Sequence, residues 1–482
     1  MIQRFSSLTE CSCVALYKSA RRRVSPVRAC VREIPSSIGP LVSSQGRATG
    51  KMVVMRSDVQ VVESSLVTPS EATPRQQLWL SPLDVLLVNR GHTPAVYFYH
   101  PAADAAAAKD FFDVARLKES LARALVEFYP LAGRLTVDAG GRFVIDCNAE
   151  GALLAVARSD LTVADFADVV PSPELKDLFV PRVDPPSSVM LAVQVTFLGC
   201  GGVAFGTALH HAVADATSAF RFFHAWAALC RGGGAMVEME MEPPCHDRTL
   251  LRARSPPFVN PDAFAVFCPK LTLTQRSGPV ASKVFDISKD HVAALKQACG
   301  GVSTFCALSA HVWRCVCVAR GLPADATTRL TLPANVRRRI KPPVPDSYFG
   351  NALIWVGTSG VVRDVTSEAL ADTAGRIRGA VRRMDDDVVR SAIDYFELAE
   401  NNGKPIPGDM PETELRVISW LGMPVYDADY GWGKPQMMVR AESERSGFVY
   451  LINDGAGVQV VVCAEAASLK EFEKLLYANM WP

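Results

Sequence analysis

Charge of one sign is what this sequence most lacks: across 482 residues, 51 Lys and Arg meet 50 Asp and Glu, a formal net charge of +1. Even that balance is uneven along the chain. Residues 1–51 hold nine basic side chains against Glu10 and Glu33, so they carry +7 and the remainder −6. A mildly acidic body sets nucleic acid aside as a partner, because phosphate binding needs clustered positive charge. Cysteine is present thirteen times but in no framework. No CxxC occurs, and the nearest pairs are Cys11-x-Cys13 and Cys315-x-Cys317. Scattered thiols read as small buried hydrophobes in a reducing compartment. Histidine is scarce, with eight in all, and no Cys/His set has zinc spacing, so no metal is expected. No fixed-period repeat runs through the chain, which excludes a solenoid.

A long apolar run is nearly present. Met190 to Leu209 is twenty residues without a charge, enough in length for a membrane span. Gln194 and Thr196 interrupt it, Val and Phe dominate it, and Gly199-Cys200-Gly201-Gly202 cuts it. Two strands, 189–198 and 203–209, joined by a glycine turn account for it without a membrane.

What is there is a globular composition, 49% hydrophobic and 21% charged. Residues 1–51 are rich in Arg and Ser and poor in acids, which fits a transit peptide or an over-extended leader. No amphipathic helix runs through them and folded patterning begins near Val59. We therefore set them aside as a disordered N-terminal extension, with Met52 or Met55 as the working start and the cytoplasm as the compartment. From there strands and helices mix. Val59–Val67 and Ala95–Tyr99 read as strands, and Val114–Phe128 and Thr217–Leu229 as helices with one apolar face. Arg231–Pro257 opens on three glycines, passes Pro243-Pro244 and offers few core residues, so it reads as a linker. The expected organisation is a domain 52–230, the linker 231–257 and a domain 258–482, each of α/β type with mixed sheets. In the second, Ser288–Cys299 and Ser303–Ala319 read as helices, and a hairpin turns at Asn453-Asp454-Gly455. Ser468, three residues before Glu471, reads as a capping box.

The residues fit for chemistry are few. His210-His211 end the strand 203–209 and precede a helix, a junction where α/β folds expose catalytic groups. Neighbours on a strand point to opposite faces, so one histidine can meet substrate while the other packs. A neutral imidazole suits removal of a proton from a hydroxyl or amine. Asp215 either bonds an imidazole nitrogen or holds the loop against an arginine. The remaining histidines, His311 among them, read as core residues. In Asp429-Tyr430-Gly431-Trp432-Gly433 two glycines flank a tryptophan in a tight turn that leaves an indole N–H as a donor. Asp394 and Glu397, on a helix 388–398, read as solvated.

With both constellations in view, the chain resembles the plant BAHD acyltransferases. His211-x-x-x-Asp215 matches their HxxxD motif, and Asp429–Gly433 matches DFGWG with Tyr430 for Phe. Leu78–Asp84, Tyr129–Leu135, Tyr348–Asn351 and Ser419–Pro424 look like the hydroxycinnamoyltransferase branch. The resemblance spans about 59–480. It implies two chloramphenicol-acetyltransferase-like domains joined by a long crossover. It also implies acyl-CoA as co-substrate with no bound cofactor, and a monomer that acylates an amine or alcohol. His211 is then the general base, Asp215 the residue that shapes the loop, and Asp429, Gly431 and Gly433 a structural motif. Trp432 is a candidate oxyanion or channel support.

Two departures from the family pattern matter. Ala216 stands where the family usually has Gly, and a positive φ there would be strained for alanine. Gly422 in Ser419-Trp420-Leu421-Gly422 stands where shikimate and quinate transferases carry an arginine for the acceptor carboxylate. We expect an aromatic acyl group to go to an amine or neutral alcohol. Shikimate or quinate O-acylation and a non-catalytic binding protein are the alternatives. A peptide-synthetase condensation domain shares the His-His-x-x-x-Asp pattern but lacks the 429–433 turn.

Overall fold

The computed structural model describes residues 58–101, 110–166, 169–183, 189–232, 242–267, 278–399, 410–442 and 445–478. The N-terminal extension lies outside them. Alternation of apolar and polar residues builds the strands in order: β1 (Val59–Val67), β2 (Gln77–Trp79), β3 (His92–Tyr99), β4 (Arg134–Val137), β5 (Phe143–Asp146), β6 (Ala152–Ser159), β7 (Leu191–Leu198), β8 (Val203–His210), β9 (Val280–Ser288), β10 (Thr327–Asn335), β11 (Leu353–Val361), β12 (Glu414–Ser419), β13 (Met437–Arg440), β14 (Phe448–Asn453) and β15 (Gly457–Glu465). They form two mixed six-stranded sheets, ordered β1-β6-β7-β8-β3-β13 and β11-β10-β12-β14-β15-β9, and a small sheet β2-β5-β4.

The helices that matter here are α1 (Pro82–Val85), α2 (Val114–Glu127), α3 (Ala216–Cys230), α4 (Lys289–Ala298), α5 (Thr304–Ala319), α6 (Asp386–Leu398) and α7 (Ala466–Ala478). Side chains at N-caps start several of them: Asp113 accepts from the Arg116 N–H, Asp215 from Ser218, Ser288 from His291 and Ser303 from Cys306. Each satisfies a donor that the first turn leaves open.

Period-two patterning sorts the core into layers. Phe448, Tyr450 and Ile452 of β14 join a cluster with Tyr97, Val193 and Phe205 of the other sheet, whereas Val449 and Leu451 pack with Trp313, Leu308 and Phe472. The first cluster draws on both six-stranded sheets, and the second backs one of them with helices. Behind the other sheet lies a third cluster containing Val96, Phe98, Phe166 and Phe179.

The structure changes several expectations. Strand β13 comes from the second half of the chain yet pairs with β3 of the first, so the sheets do not divide cleanly at the linker. The linker's second part is no loose tether: Arg248 and Leu251 within it are 1% and 0% exposed. Asp394 is buried, not solvated. It accepts from the Arg254 and Phe258 N–H groups and from Arg254 Nε at 2.8, 2.9 and 2.6 Å. Glu397 pairs with Arg142. Helix α7 begins at Ala466, so Ser468 lies inside it and donates to the Glu465 carbonyl at 2.9 Å instead of capping. Ala216 opens α3 and is not among the described non-glycine residues with positive φ, so no strain arises there.

Candidate active site

Parity along β8 separates the histidine pair. Val203, Phe205 and Leu209 face the core between the sheets, while Ala204 and Ala208 face the third cluster. His210 follows the second set and meets His92, its cross-strand partner, edge-on with ring centroids 5.0 Å apart. The Ala212 N–H donates to His210 Nδ1 at 3.2 Å, which places the ring proton on Nε2. Burial, with His92 and His211 nearby, pushes the His210 pKa down to about 3. His210 is a packed, neutral support.

His211 takes the other side and begins the turn into α3. It is half-buried. Its N–H donates to the Gly91 carbonyl at 2.8 Å, and its carbonyl accepts from Asn351 Nδ2 at 2.8 Å. Its Nδ1 is buried with no partner at hydrogen-bond geometry. Desolvation and the Arg90 charge, with Arg440 adding, lower its pKa to about 4 against the pull of its own backbone and Asp215. With Nδ1 buried, Nε2 is the ring nitrogen left to meet a substrate. The imidazole is neutral at physiological pH.

Asp215 does not touch the imidazole by any hydrogen bond described. Its carboxylate takes Arg337 in a fork, Nη1 to Oδ2 at 2.8 Å and Nη2 to Oδ1 at 3.1 Å, and accepts from the Ser218 and Ala352 N–H groups at 3.0 Å each. Burial pushes this carboxyl up, but Arg337 and the N–H donors outweigh it and hold the pKa below its ordinary value. Both side chains of the pair are almost fully buried. Arg337 comes from the segment after β10, so the ion pair ties the turn after β8 to the other sheet.

The second motif lies elsewhere. Asp429 Oδ1 accepts from the Gly431 and Gly433 N–H groups at 2.8 and 2.9 Å. Gly431 has φ +103°, and a Cβ there would come within 2.3 Å of Arg116 Nη2. Trp432 stacks on Phe112 at 5.1 Å with the Arg116 guanidinium 4.6 Å from its ring centroid. Tyr430 packs on Phe205 at 5.2 Å. Phe205 and His211 are six residues apart on one extended run, roughly 20 Å at ~3.3 Å per residue. The contacts described for Trp432 are with Phe112 and Arg116, and none is with His211. Gly422 has φ +73° and open space around its missing Cβ. Nearby Trp420 packs edge-on against Phe220 at 5.6 Å, with Arg440 5.5 Å from its ring.

The comparisons with known proteins decide the family. The family described as the Transferase family matches residues 57–478. A putrescine hydroxycinnamoyltransferase 1 from Oryza sativa subsp. japonica is 43% identical over 453 residues, covering 88% of this chain and 99% of the relative. A shikimate O-hydroxycinnamoyltransferase from Nicotiana tabacum is 36% identical over 87% of this chain and 99% of its own length. The chain belongs to this family, the BAHD acyltransferases. Among solved structures, vinorine synthase superposes with a TM-score of 0.70 at 26% identity, over 87% of this chain and 98% of that one.

A BAHD member is an acyl-CoA-dependent acyltransferase. Among the described residues no group of three or more His, Cys, Asp or Glu is placed to hold a metal ion, and no helix is long and apolar enough to cross a membrane. Sequence reasoning missed Asp84, Arg248, Arg337 and Asn351, the buried polar residues around the His211 turn. Leu78–Asp84 and Tyr348–Asn351 carried a family signal without a role. Arg337 stands in an Arg-Arg-Arg run with no local sign of its burial.

Proposed function

We propose that this enzyme moves an aromatic acyl group, of hydroxycinnamoyl or benzoyl type, from coenzyme A to an amine, with a neutral alcohol as the next acceptor. Its setting would be plant specialised metabolism of the phenylpropanoid kind. The observation that carries the reading is the neutral, half-buried His211 imidazole at the end of β8. The acceptor nitrogen attacks the thioester carbonyl, and His211 Nε2 takes the proton from the nitrogen. The tetrahedral oxyanion collapses, the C–S bond breaks, and the imidazolium returns the proton to the coenzyme A thiolate. An amine asks less of the base than an alcohol does, because the N–H of the attacked adduct is cationic and acidic. The acceptor amine must attack uncharged, because an ammonium has no lone pair to give.

Gly422 supports the same choice, since no guanidinium stands there for a shikimate carboxylate, and the rice relative is named for an amine acceptor. The tobacco relative's name is the specific observation behind the alternative acceptor, shikimate. An open cavity of about 210 Å³ lined by Phe305, Leu332, Asn335, Arg339 and Ser419 adjoins the strand end leading to Arg337. We assign it to part of coenzyme A, with Arg339 toward a phosphate. Nine cysteines in the described residues are all free and mostly buried, which supports a cytoplasmic enzyme. We take it to act as a monomer.

Incubation with p-coumaroyl-CoA and a panel of polyamines, arylamines, neutral alcohols, shikimate and quinate, read by mass spectrometry, tests the proposal. Amides should dominate. Preference for shikimate over every amine and neutral alcohol would overturn the acceptor assignment. With an arylamine the rate should stay flat between pH 6 and 8 and fall as pH approaches about 4.

A further inference from the structure

We infer that Asp84, Asn351 and Arg248 form a positioning bracket for the His211 peptide, separate from the Asp215–Arg337 pair. The inference rests on His211 as the base. It starts from a carboxylate with no solvent around it: Asp84 is 0% exposed. Its Oδ2 accepts from the Ser81 N–H at 3.0 Å and the Ser81 hydroxyl at 2.7 Å, which locks the side chain at the start of α1. Its Oδ1 accepts from Arg248 Nη1 at 2.7 Å and from the Asn351 N–H and Nδ2 at 2.9 Å each.

Both partners then reach past Asp84 to the same turn. Asn351 Nδ2 donates to the His211 carbonyl at 2.8 Å, and Arg248 Nη2 donates to the Val213 carbonyl at 2.9 Å. Two neighbouring acceptors fix which end of the Asn351 amide is nitrogen. The His211 peptide is thus held by its N–H on Gly91 and by its carbonyl on Asn351. The ring is carried by this peptide's own Cα, so a shift of the peptide moves the ring. Asn351 is itself 0% exposed, and its Oδ1 has no partner among the described residues. An unmet buried acceptor costs free energy, so the amide is better explained by where it holds His211 than by stability alone. Asp84, Arg248 and Asn351 come from three separate segments, and folding must assemble all three before the turn is held.

The test uses the full chain with p-coumaroyl-CoA and the best acceptor of the panel. Asn351→Leu keeps volume and removes the donor. Arg248→Lys keeps the charge but cannot fork between Asp84 and the Val213 carbonyl. Misplacement of a reacting group by about 1 Å costs roughly 100-fold, so kcat should fall about 10- to 100-fold in Asn351→Leu and about 10-fold in Arg248→Lys. KM for p-coumaroyl-CoA should stay within about twofold, and melting should stay cooperative. If Asn351→Leu does not fold, Arg248→Lys decides by the same criterion. A kcat per folded molecule within about twofold of wild type, or failure of both variants to fold, overturns the bracket. His211→Ala in the same assay separates the claims: full activity there sinks the base reading, whereas an inactive His211→Ala beside an active Asn351→Leu sinks the bracket alone.

Discussion

The two turns that mark the family, His211–Asp215 and Asp429–Gly433, are held by different forces. At the first, distant segments hold every part of the turn: Arg337 pairs with Asp215, Arg248 donates to the Val213 carbonyl while paired with Asp84, and Asn351 donates to the His211 carbonyl. At the second, one aspartate satisfies two N–H groups of its own turn, and an indole is sandwiched by Phe112 and Arg116. The first holds a titratable ring at the end of β8, and the second packs Tyr430 on Phe205 nearer the start of the same strand. The two motifs thus differ in chemistry: one presents a neutral imidazole, and the other packs aromatic rings.

The contrast can be broken at either end. The largest effect is expected from Asp215→Ala, which strands the Arg337 guanidinium in the interior. Removing one partner of a buried pair costs about 3–5 kcal/mol, so the variant should melt far below wild type or fail to fold. Calorimetry of the purified variant is the check, and a wild-type melting temperature would show that the pair holds nothing. Lowering pH strains the first turn next. Six histidines, His92, His210, His211, His224, His246 and His311, have pKa values depressed mainly by burial. Unfolding returns each to about 6.5, so the unfolded chain binds more protons below that value. Denaturation midpoints should be level above about pH 6.5 and fall steadily toward pH 4. A midpoint that rises on acidification contradicts this.

Smaller effects sharpen the difference. Asp429→Ala removes the acceptor of two N–H groups in a partly exposed turn, worth about 1–2 kcal/mol. Thermal stability should drop by that amount with kcat and KM per folded molecule unchanged, and a selective fall in kcat would give the second turn a chemical role. Gly422→Arg should be the mildest. The positive φ costs arginine about 1–2 kcal/mol, while open space admits the side chain. Its signature is a rise in kcat/KM for shikimate relative to the amine, measured side by side.

What was legible in the sequence was local. Ser303 caps α5 and Asn453-Asp454-Gly455 turns between β14 and β15 because the deciding residues lie within a few positions of one another. The parity that sends His210 and His211 to different faces is equally short-ranged. Asp394 misled because its partners, Arg254 and Phe258, are more than a hundred residues away, and a helical aspartate looks the same solvated or buried. Ser468 misled because a capping-box spacing says nothing about whether the helix has already begun at Ala466. The bracket around His211 was out of reach for the same reason as Asp394: Asp84, Arg248 and Asn351 meet only after the chain has crossed between sheets.

The central claim is that His211 is the base of an acyl transfer from coenzyme A. Coenzyme A release from p-coumaroyl-CoA, with the preferred acceptor at saturation, tests it most directly when wild type and His211→Ala are run in parallel after their melting curves are matched. General-base catalysis contributes roughly 10²–10⁴ in rate. The account predicts a fall of that size with an intact fold, and equal turnover by the two proteins would contradict it.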